Sequence, residues 1–370
     1  MLMPLLPGYA CSEYLMRPES VIRPEIRALS AYHVADAKEF IKLDAMENPW
    51  PLPDAVAMEM AEACAHVQVN RYPDSEASEL TARIRQVMPI PQHAGLLLGN
   101  GSDELIQMLA MACAKPGAAI LGVEPSFVMY RMISVFCNMR YVGVPLEEDF
   151  SLNEVSMLKT MEKEQPSLVF IAFPNNPTGN LFESGLLKRI IAAAPGLVVI
   201  DEAYYPFAGT TAMDWLDEFD NLLVMRTVSK LGLAGLRLGY LTGPVAVISE
   251  INKVRLPYNI NALTQAAGQI ALAHHAVFDA QAREICSMRE SMFSDLASME
   301  ELEVYPSQAN FILIRHEHAS DIFDGLKKRG VLVKNLDGVH PMLTGCLRIT
   351  VGQQNENLIL IRHLKELIHL

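Results

Sequence analysis

Seven short apolar runs constrain this chain more than any other feature. They are Leu96 to Leu98, Ala119 to Val123, Tyr141 to Pro145, Leu168 to Phe173, Leu197 to Ile200, Leu222 to Met225 and Leu238 to Thr242. Each is apolar at successive positions, and connections long enough for a helix separate them. A strand buried on both faces reads this way, so the runs predict an α/β fold with a mostly parallel seven-stranded sheet between helices. A hydrophobic content of 51% against 20% charged residues supplies a core of that size and argues against disorder. In such a sheet ligands lie at the carboxyl ends of the strands, so residues just after each run are the ones to inspect for chemistry.

At 370 residues the chain exceeds one ordinary core. Pro257 to Asn261 interrupts the alternation, and Ala262 to Met299, free of proline, predicts one long helix able to bridge two domains. Leu302 to Tyr305, Asn310 to Ile314, Val331 to Val333 and Cys346 to Val351 read as strands, with a helix from Ala319 to Arg329, and predict a smaller α+β domain. Upstream, Leu43 to Pro53 carries too many prolines for a helix and predicts an extended strap. The expected division is a loose arm (1–20), a strap belonging to the small domain (21–53), a large domain (54–270) and a small domain with the bridging helix (271–370).

The net charge of −13 disfavours nucleic acid and anionic membrane as partners, so an anionic ligand must be held by a few placed cations and backbone N–H groups. Six scattered cysteines without C-x-x-C spacing read as reduced thiols of a cytoplasmic protein, with no metal site expected. The first twenty residues lack the basic start and continuous apolar stretch of a signal peptide, and no apolar run reaches membrane-spanning length.

The strand ends carry polar residues in a definite order. After Leu98 comes Gly99-Asn100-Gly101-Ser102-Asp103-Glu104, a glycine turn into a helix whose N–H groups suit a phosphate. For the phosphate to fit, the side chains of Asp103 and Glu104 must turn away. After Phe173 comes Pro174-Asn175-Asn176-Pro177-Thr178-Gly179, and after Ile200 comes Asp201-Glu202-Ala203-Tyr204. Thr227 to Tyr240 then holds Ser229-Lys230 and, seven residues past the lysine, Arg237, in a run otherwise apolar and glycine-rich. Taken singly, each of these is ordinary turn or cap chemistry. Together they supply what a pyridoxal phosphate site needs, and the glycines beside Lys230 read as clearance for such a group.

Here the chain resembles the fold-type I pyridoxal-phosphate aminotransferases, and among them the histidinol-phosphate aminotransferase family, over about residues 26–355. The resemblance implies pyridoxal 5′-phosphate as cofactor and a catalytic set of Lys230, Asp201 and Tyr204. Lys230 matches the lysine that bonds to the cofactor aldehyde and later shuttles a proton. Asp201 matches the partner of the ring nitrogen, Tyr204 and Asn176 the donors to the ring's phenolic oxygen, and Phe127 the ring that stacks on it. Gly101, Ser102, Asp103, Ser229 and Arg237 match the phosphate cradle. On the substrate side Arg348 matches the fork that grips an α-carboxylate, while Tyr32, Asn48, Lys334 and Tyr72 match substrate contacts, Tyr72 matching a cofactor contact as well. Tyr72 reaches in from a partner subunit, which implies a homodimer.

The implied reaction exchanges an amino group between histidinol phosphate and 2-oxoglutarate, in histidine biosynthesis. An aromatic or broad-range aminotransferase, a decarboxylase of an amino-acid phosphate on the same fold, and a non-catalytic binding module are the other readings. Two departures stand out: the Lys230 to Arg237 spacing is seven where eight is common, and Lys334 stands where an arginine is common.

Overall fold

The computed structural model describes residues 17–31 and 36–369. Two compact units divide at Asp36 and Ala37. In the first, the described residues form a 3₁₀ turn, Pro18–Ser20, and a one-turn helix, Pro24–Arg27, neither with a buried residue. Tyr32 lies outside the described residues.

The second unit opens with β1 (Ile41–Lys42) and then a run of seven strands: β2 (Gly95–Gly99), β3 (Ala119–Glu124), β4 (Arg140–Pro145), β5 (Leu168–Ala172), β6 (Leu197–Asp201), β7 (Leu222–Thr227) and β8 (Gly239–Gly243). Each matches one of the expected runs, and together they form one sheet in the order β2-β8-β7-β6-β5-β3-β4. All neighbours are parallel except β8, which is antiparallel to both β2 and β7. The reason for the continuous apolar runs is visible in β5. Val169 and Ile171 join the core on one face of the sheet, and Leu168 and Phe170 the core on the other. Neither face can be polar.

Where one helix was expected over Ala262 to Met299 there are two, Ala262–Ala273 and His275–Ala297. The break falls at His274 (φ −96°, ψ 22°), whose N–H is shared between the carbonyls of Ile270 and Ala271 and whose Nε2 meets Glu59 at 2.8 Å. No proline or glycine marks the position.

Beyond it lie β9 (Glu303–Tyr305), β10 (Phe311–Arg315), β11 (Val331–Leu332), β12 (Lys334–Asn335) and β13 (Cys346–Thr350). The strand expected at Val331 to Val333 ends at Leu332, and a second short strand follows after Val333. β11 pairs in parallel with β1, while β12 joins the antiparallel order β12-β13-β10-β9 and sets Lys334 opposite Arg348. Helix Gln354–Leu367, closed by a capping box at Gln353 and Glu356, packs Leu360 and Leu364 into the core with Phe311, Ile312 and Leu347. Tyr204 and Phe207, which follow β6, belong to the same core.

Candidate active site

The carboxyl ends of β5, β6 and β7 open on a cavity of about 240 Å³. Nine of the expected residues line it: Ser102, Asp103, Phe127, Asn176, Asp201, Tyr204, Ser229, Lys230 and Arg237. Larger hollows of about 540 and 640 Å³ elsewhere on the unit gather none of them. The strap closes one side with Ala45, Met46 and Glu47.

Asp201 ends β6 and is 3% exposed. Its Oδ2 accepts a hydrogen bond from the Tyr130 hydroxyl at 2.6 Å, and Oδ1 accepts one from the Ala203 N–H at 3.0 Å. Burial raises its carboxyl to about 6, with Asp103 and Glu202 adding to the rise and the two donors opposing it. Both donors are neutral groups, so a buried carboxylate faces the cavity with room for a cation.

Lys230 follows β7. Its Nζ donates to the Ala45 carbonyl at 3.1 Å and stands 5.8 Å from the centre of the Tyr204 ring. Burial, helped by the Arg348 and Arg237 guanidiniums and opposed by Glu47 and Asp103, lowers its ammonium to about 8. The group therefore loses its proton far more readily than an ordinary lysine, and a minor neutral fraction is present near neutral pH.

The tightened Lys230 to Arg237 loop closes in three steps. Ser229–Leu233 is a wide π turn that contains Gly232 at φ 123°, Ala234–Leu236 is a 3₁₀ turn, and Arg237 itself adopts the left-handed region at φ 49°. Gly232 does not clear a ligand, contrary to expectation. A side chain there would meet Asn48 Nδ2 at 2.8 Å, and nothing lies within 4 Å of a side chain built at Gly235.

Arg237 reaches the start of helix Ser102–Cys113, and a Cβ on Gly101 would stand 2.6 Å from its Nη2. Glycine at that turn (φ 84°) is what allows the guanidinium in. Glu104 does turn away, accepting from the Asn100 N–H at 2.6 Å and from Asn259 Nδ2 at 2.8 Å. Asp103 does not. Its Oδ2 lies 3.5 Å from Arg237 Nη2, and both side chains are about half exposed.

Asn176 accepts from Arg348 Nη1 at 2.6 Å through Oδ1, which leaves its Nδ2 to donate. Arg348 also donates to the Asp44 carbonyl at 2.8 Å. The amide of Asn48, by contrast, is engaged with the Leu231 carbonyl at 3.2 Å and Gln281 at 2.9 Å, away from the cavity lining. Tyr72 is 81% exposed and stacks on Tyr258 at 4.5 Å. Sequence reading missed Tyr130, the strap carbonyls and a buried pair behind the site. In that pair Arg226 Nη2 meets Glu202 Oε2 at 2.7 Å, with Thr211 and Tyr240 completing the network. Tyr130 stands three residues after Phe127 on the same strand-to-helix turn, which was the available signal.

Comparison with known proteins decides the family. A family model described as "Aminotransferase class I and II" matches residues 38–364. The chain belongs to the class I and II aminotransferases. Among relatives of this aminotransferase, the histidinol-phosphate aminotransferase of Chromobacterium violaceum is 52% identical over 93% of this chain and 96% of its own length. Histidinol-phosphate aminotransferase 2 of Nitrosococcus oceani is likewise 52% identical, over 93% and 96%. Among solved structures, histidinol-phosphate aminotransferase from Sinorhizobium meliloti in complex with pyridoxal-5′-phosphate superposes with a TM-score of 0.83 at 24% identity, covering 95% of this chain and 98% of that one. L-threonine-O-3-phosphate decarboxylase from Porphyromonas gingivalis shares the fold at a TM-score of 0.75 and 21% identity, covering 89% and 100%. The aminotransferase thus has the fold-type I architecture.

Proposed function

We propose that this aminotransferase is a histidinol-phosphate transaminase that uses pyridoxal 5′-phosphate to exchange an amino group between histidinol phosphate and 2-oxoglutarate, as a step of histidine biosynthesis. The observation that carries the reading is the 52% identity to histidinol-phosphate aminotransferases over nearly the whole chain, joined to a cavity that gathers the nine expected residues.

The donor set fits the cofactor. A buried carboxylate with neutral donors suits a protonated ring nitrogen, and the Gly101 turn beside Arg237 suits a phosphate. When bound, pyridoxal phosphate supplies an electron sink. Asp201 holds the ring-nitrogen proton, and Phe127 offers the ring face. Asn176 Nδ2 and Tyr204 donate toward the phenolic oxygen. Ser102 and Asp103 N–H groups, the Ser229 hydroxyl and the Arg237 guanidinium bind the phosphate. Lys230 Nζ, released from the Ala45 carbonyl, takes the proton from the substrate's Cα. Arg348 grips the glutamate carboxylate and, through Asn176, ties that grip to the cofactor's edge.

Lys334, opposite Arg348 across the β12–β13 pair, supplies a cation for the substrate phosphate. Tyr72 completes that pocket from a partner subunit. The exposed Val69, Tyr72, Leu256 and Leu263 support a homodimer. Tyr32 and Asn48 keep their substrate roles on resemblance alone. Of the strap expected at 21–53, the pairing of β1 with β11 supports assigning the part from Ala37 onward to the small domain, beside a large domain at 54–270 and the remainder at 271–370. Five free thiols among the described residues support a cytoplasmic location. No helix among those residues is long and apolar enough to cross a membrane.

The test is a comparison of kcat/KM for imidazole-acetol phosphate and phenylpyruvate with glutamate as donor. Preference for the phosphate is expected. Preference for phenylpyruvate overturns the substrate assignment, and carbon dioxide release without any oxo acid overturns the reaction class.

A further inference from the structure

The hydrogen bonds to Asp201 raise a question that its own role leaves open: what fixes a buried carboxylate at the end of a central strand. Tyr130 answers geometrically. Its side chain is fully buried, and its hydroxyl donates to Asp201 Oδ2 at 2.6 Å. The ring itself cannot swing. It stacks on Phe170 of β5 at 4.8 Å and 12°, and meets Phe127 edge-on at 5.5 Å and 85°. Its backbone N–H bonds the Phe127 carbonyl at 3.2 Å, so the two aromatic residues share one turn.

From this arrangement we infer that Tyr130 is the positioning residue of the site. Its hydroxyl fixes the Asp201 carboxylate for the cofactor's ring nitrogen, and its ring edge seats Phe127 against the cofactor face. The inference rests on the cofactor reading given above. Removing the donor leaves a buried carboxylate oxygen short of a partner, and such a group prefers its neutral form. The charged and titratable neighbours are few. Glu202 stands beside Asp201, Asp103 faces it from the helix start, Tyr204 and Tyr141 face Tyr130, and Lys230, Arg237 and Glu47 line the same cavity. Burial and the Asp201 charge hold the Tyr130 phenol well above its ordinary range, so it stays a donor at every working pH. With Asp103 and Glu202 both acidic, Tyr130 and the Ala203 N–H are the groups that favour the ionised carboxylate.

The experiment is a double-mutant cycle read by equilibrium binding of pyridoxal phosphate to the apo protein, followed by absorbance, with Tyr130→Phe and Asp201→Asn as the two arms. Tyr130→Phe keeps both ring contacts and removes only the hydroxyl. It is expected to weaken binding by roughly 10-fold to 100-fold in the wild-type background, and to cause no further loss in Asp201→Asn. Tyr130→His, which retains an N–H donor, is expected to recover most of the affinity. Equal losses of affinity in both backgrounds, unchanged affinity in Tyr130→Phe, or a Tyr130→His protein no better than Tyr130→Phe would each overturn the inference. If Tyr130→Phe does not fold, the Tyr130→His arm against the wild type decides alone, since a merely structural ring gains nothing from a donor nitrogen. A wild-type protein that binds no pyridoxal phosphate fails the cofactor reading instead, which separates the two failures.

Discussion

The two ends of the cavity are built on opposite plans. At the Asp201 end the carboxylate is 3% exposed, sits on a central strand and has both oxygens hydrogen-bonded at 2.6 and 3.0 Å. At the Arg237 end the cation is about half exposed, sits on a loop and faces Asp103 at 3.5 Å. An exposed pair of this kind contributes little, about 0–1 kcal/mol, so an incoming dianion displaces it at small loss. The buried carboxylate is different, because it destabilises the ligand-free fold until a cation reaches it. One end is finished before the ligand arrives, and the other is held open by a contact that is easily exchanged.

Breaking the finished end gives the largest effect. Asp201→Asn is expected to lower kcat by about 10²–10³-fold, as removal of a preorganised charge in a dry site does. The same change stabilises the ligand-free protein. Asp201 titrates near 6 in the fold against 3.8 as the ordinary value, so the wild type loses stability as pH rises through that window. Lys230 runs the other way. Held near 8 against 10.5, it penalises the fold below about pH 8, and the penalty fades as pH rises toward 10.5. Both penalties therefore coincide between about pH 6 and 8. Thermal unfolding of apo Asp201→Asn against pH checks this: a gain above pH 6 that vanishes near pH 4 is expected, and a gain independent of pH refutes the linkage.

At the exchangeable end Arg237→Ala is expected to weaken pyridoxal phosphate binding by about 10-fold, with kcat at saturating cofactor changed by only a few fold. Asp103→Asn gives the smallest effect, an affinity within about threefold of wild type and on the tighter side, because it removes only a half-exposed competitor. An Asp103→Asn protein as weak as Arg237→Ala would mean that the pair preorganises the cation, and the contrast between the ends would dissolve. Binding titrations at low and moderate salt separate the two outcomes.

What could be read from the sequence, and what could not, follows from the range of the contacts involved. Leu168 to Ala172 announces a strand buried on two faces by itself, because both cores need apolar partners. Asp201, Ser229 and Lys230 stand at strand ends and were legible by position. The break at His274 was not, since it rests on Glu59 from a distant helix and no proline or glycine signals it. Tyr130 was hidden because an aromatic residue opening a helix reads as core, and its hydroxyl partner stands on β6, far along the chain. The clearance at Gly232 was assigned to the wrong object because Asn48 approaches it from the strap. Asp103 was expected to turn away so that a phosphate could fit; that it lies beside Arg237 instead is a matter of tertiary path, which spacing does not encode.

The antiparallel β8 also sets how freely this site can vary. Thr227 lies opposite Gly239, and the Val228 N–H bonds the Leu238 carbonyl, so the lysine segment leaves the sheet and returns to its immediate neighbour. It spans no crossover. Gaining or losing one residue there alters the arc of a clasped loop and leaves every strand register untouched. A spacing of seven in place of eight is therefore absorbed locally, by one wide turn and two left-handed residues. The lysine's loop is thus a stretch of the cavity wall whose length is adjustable independently of the sheet.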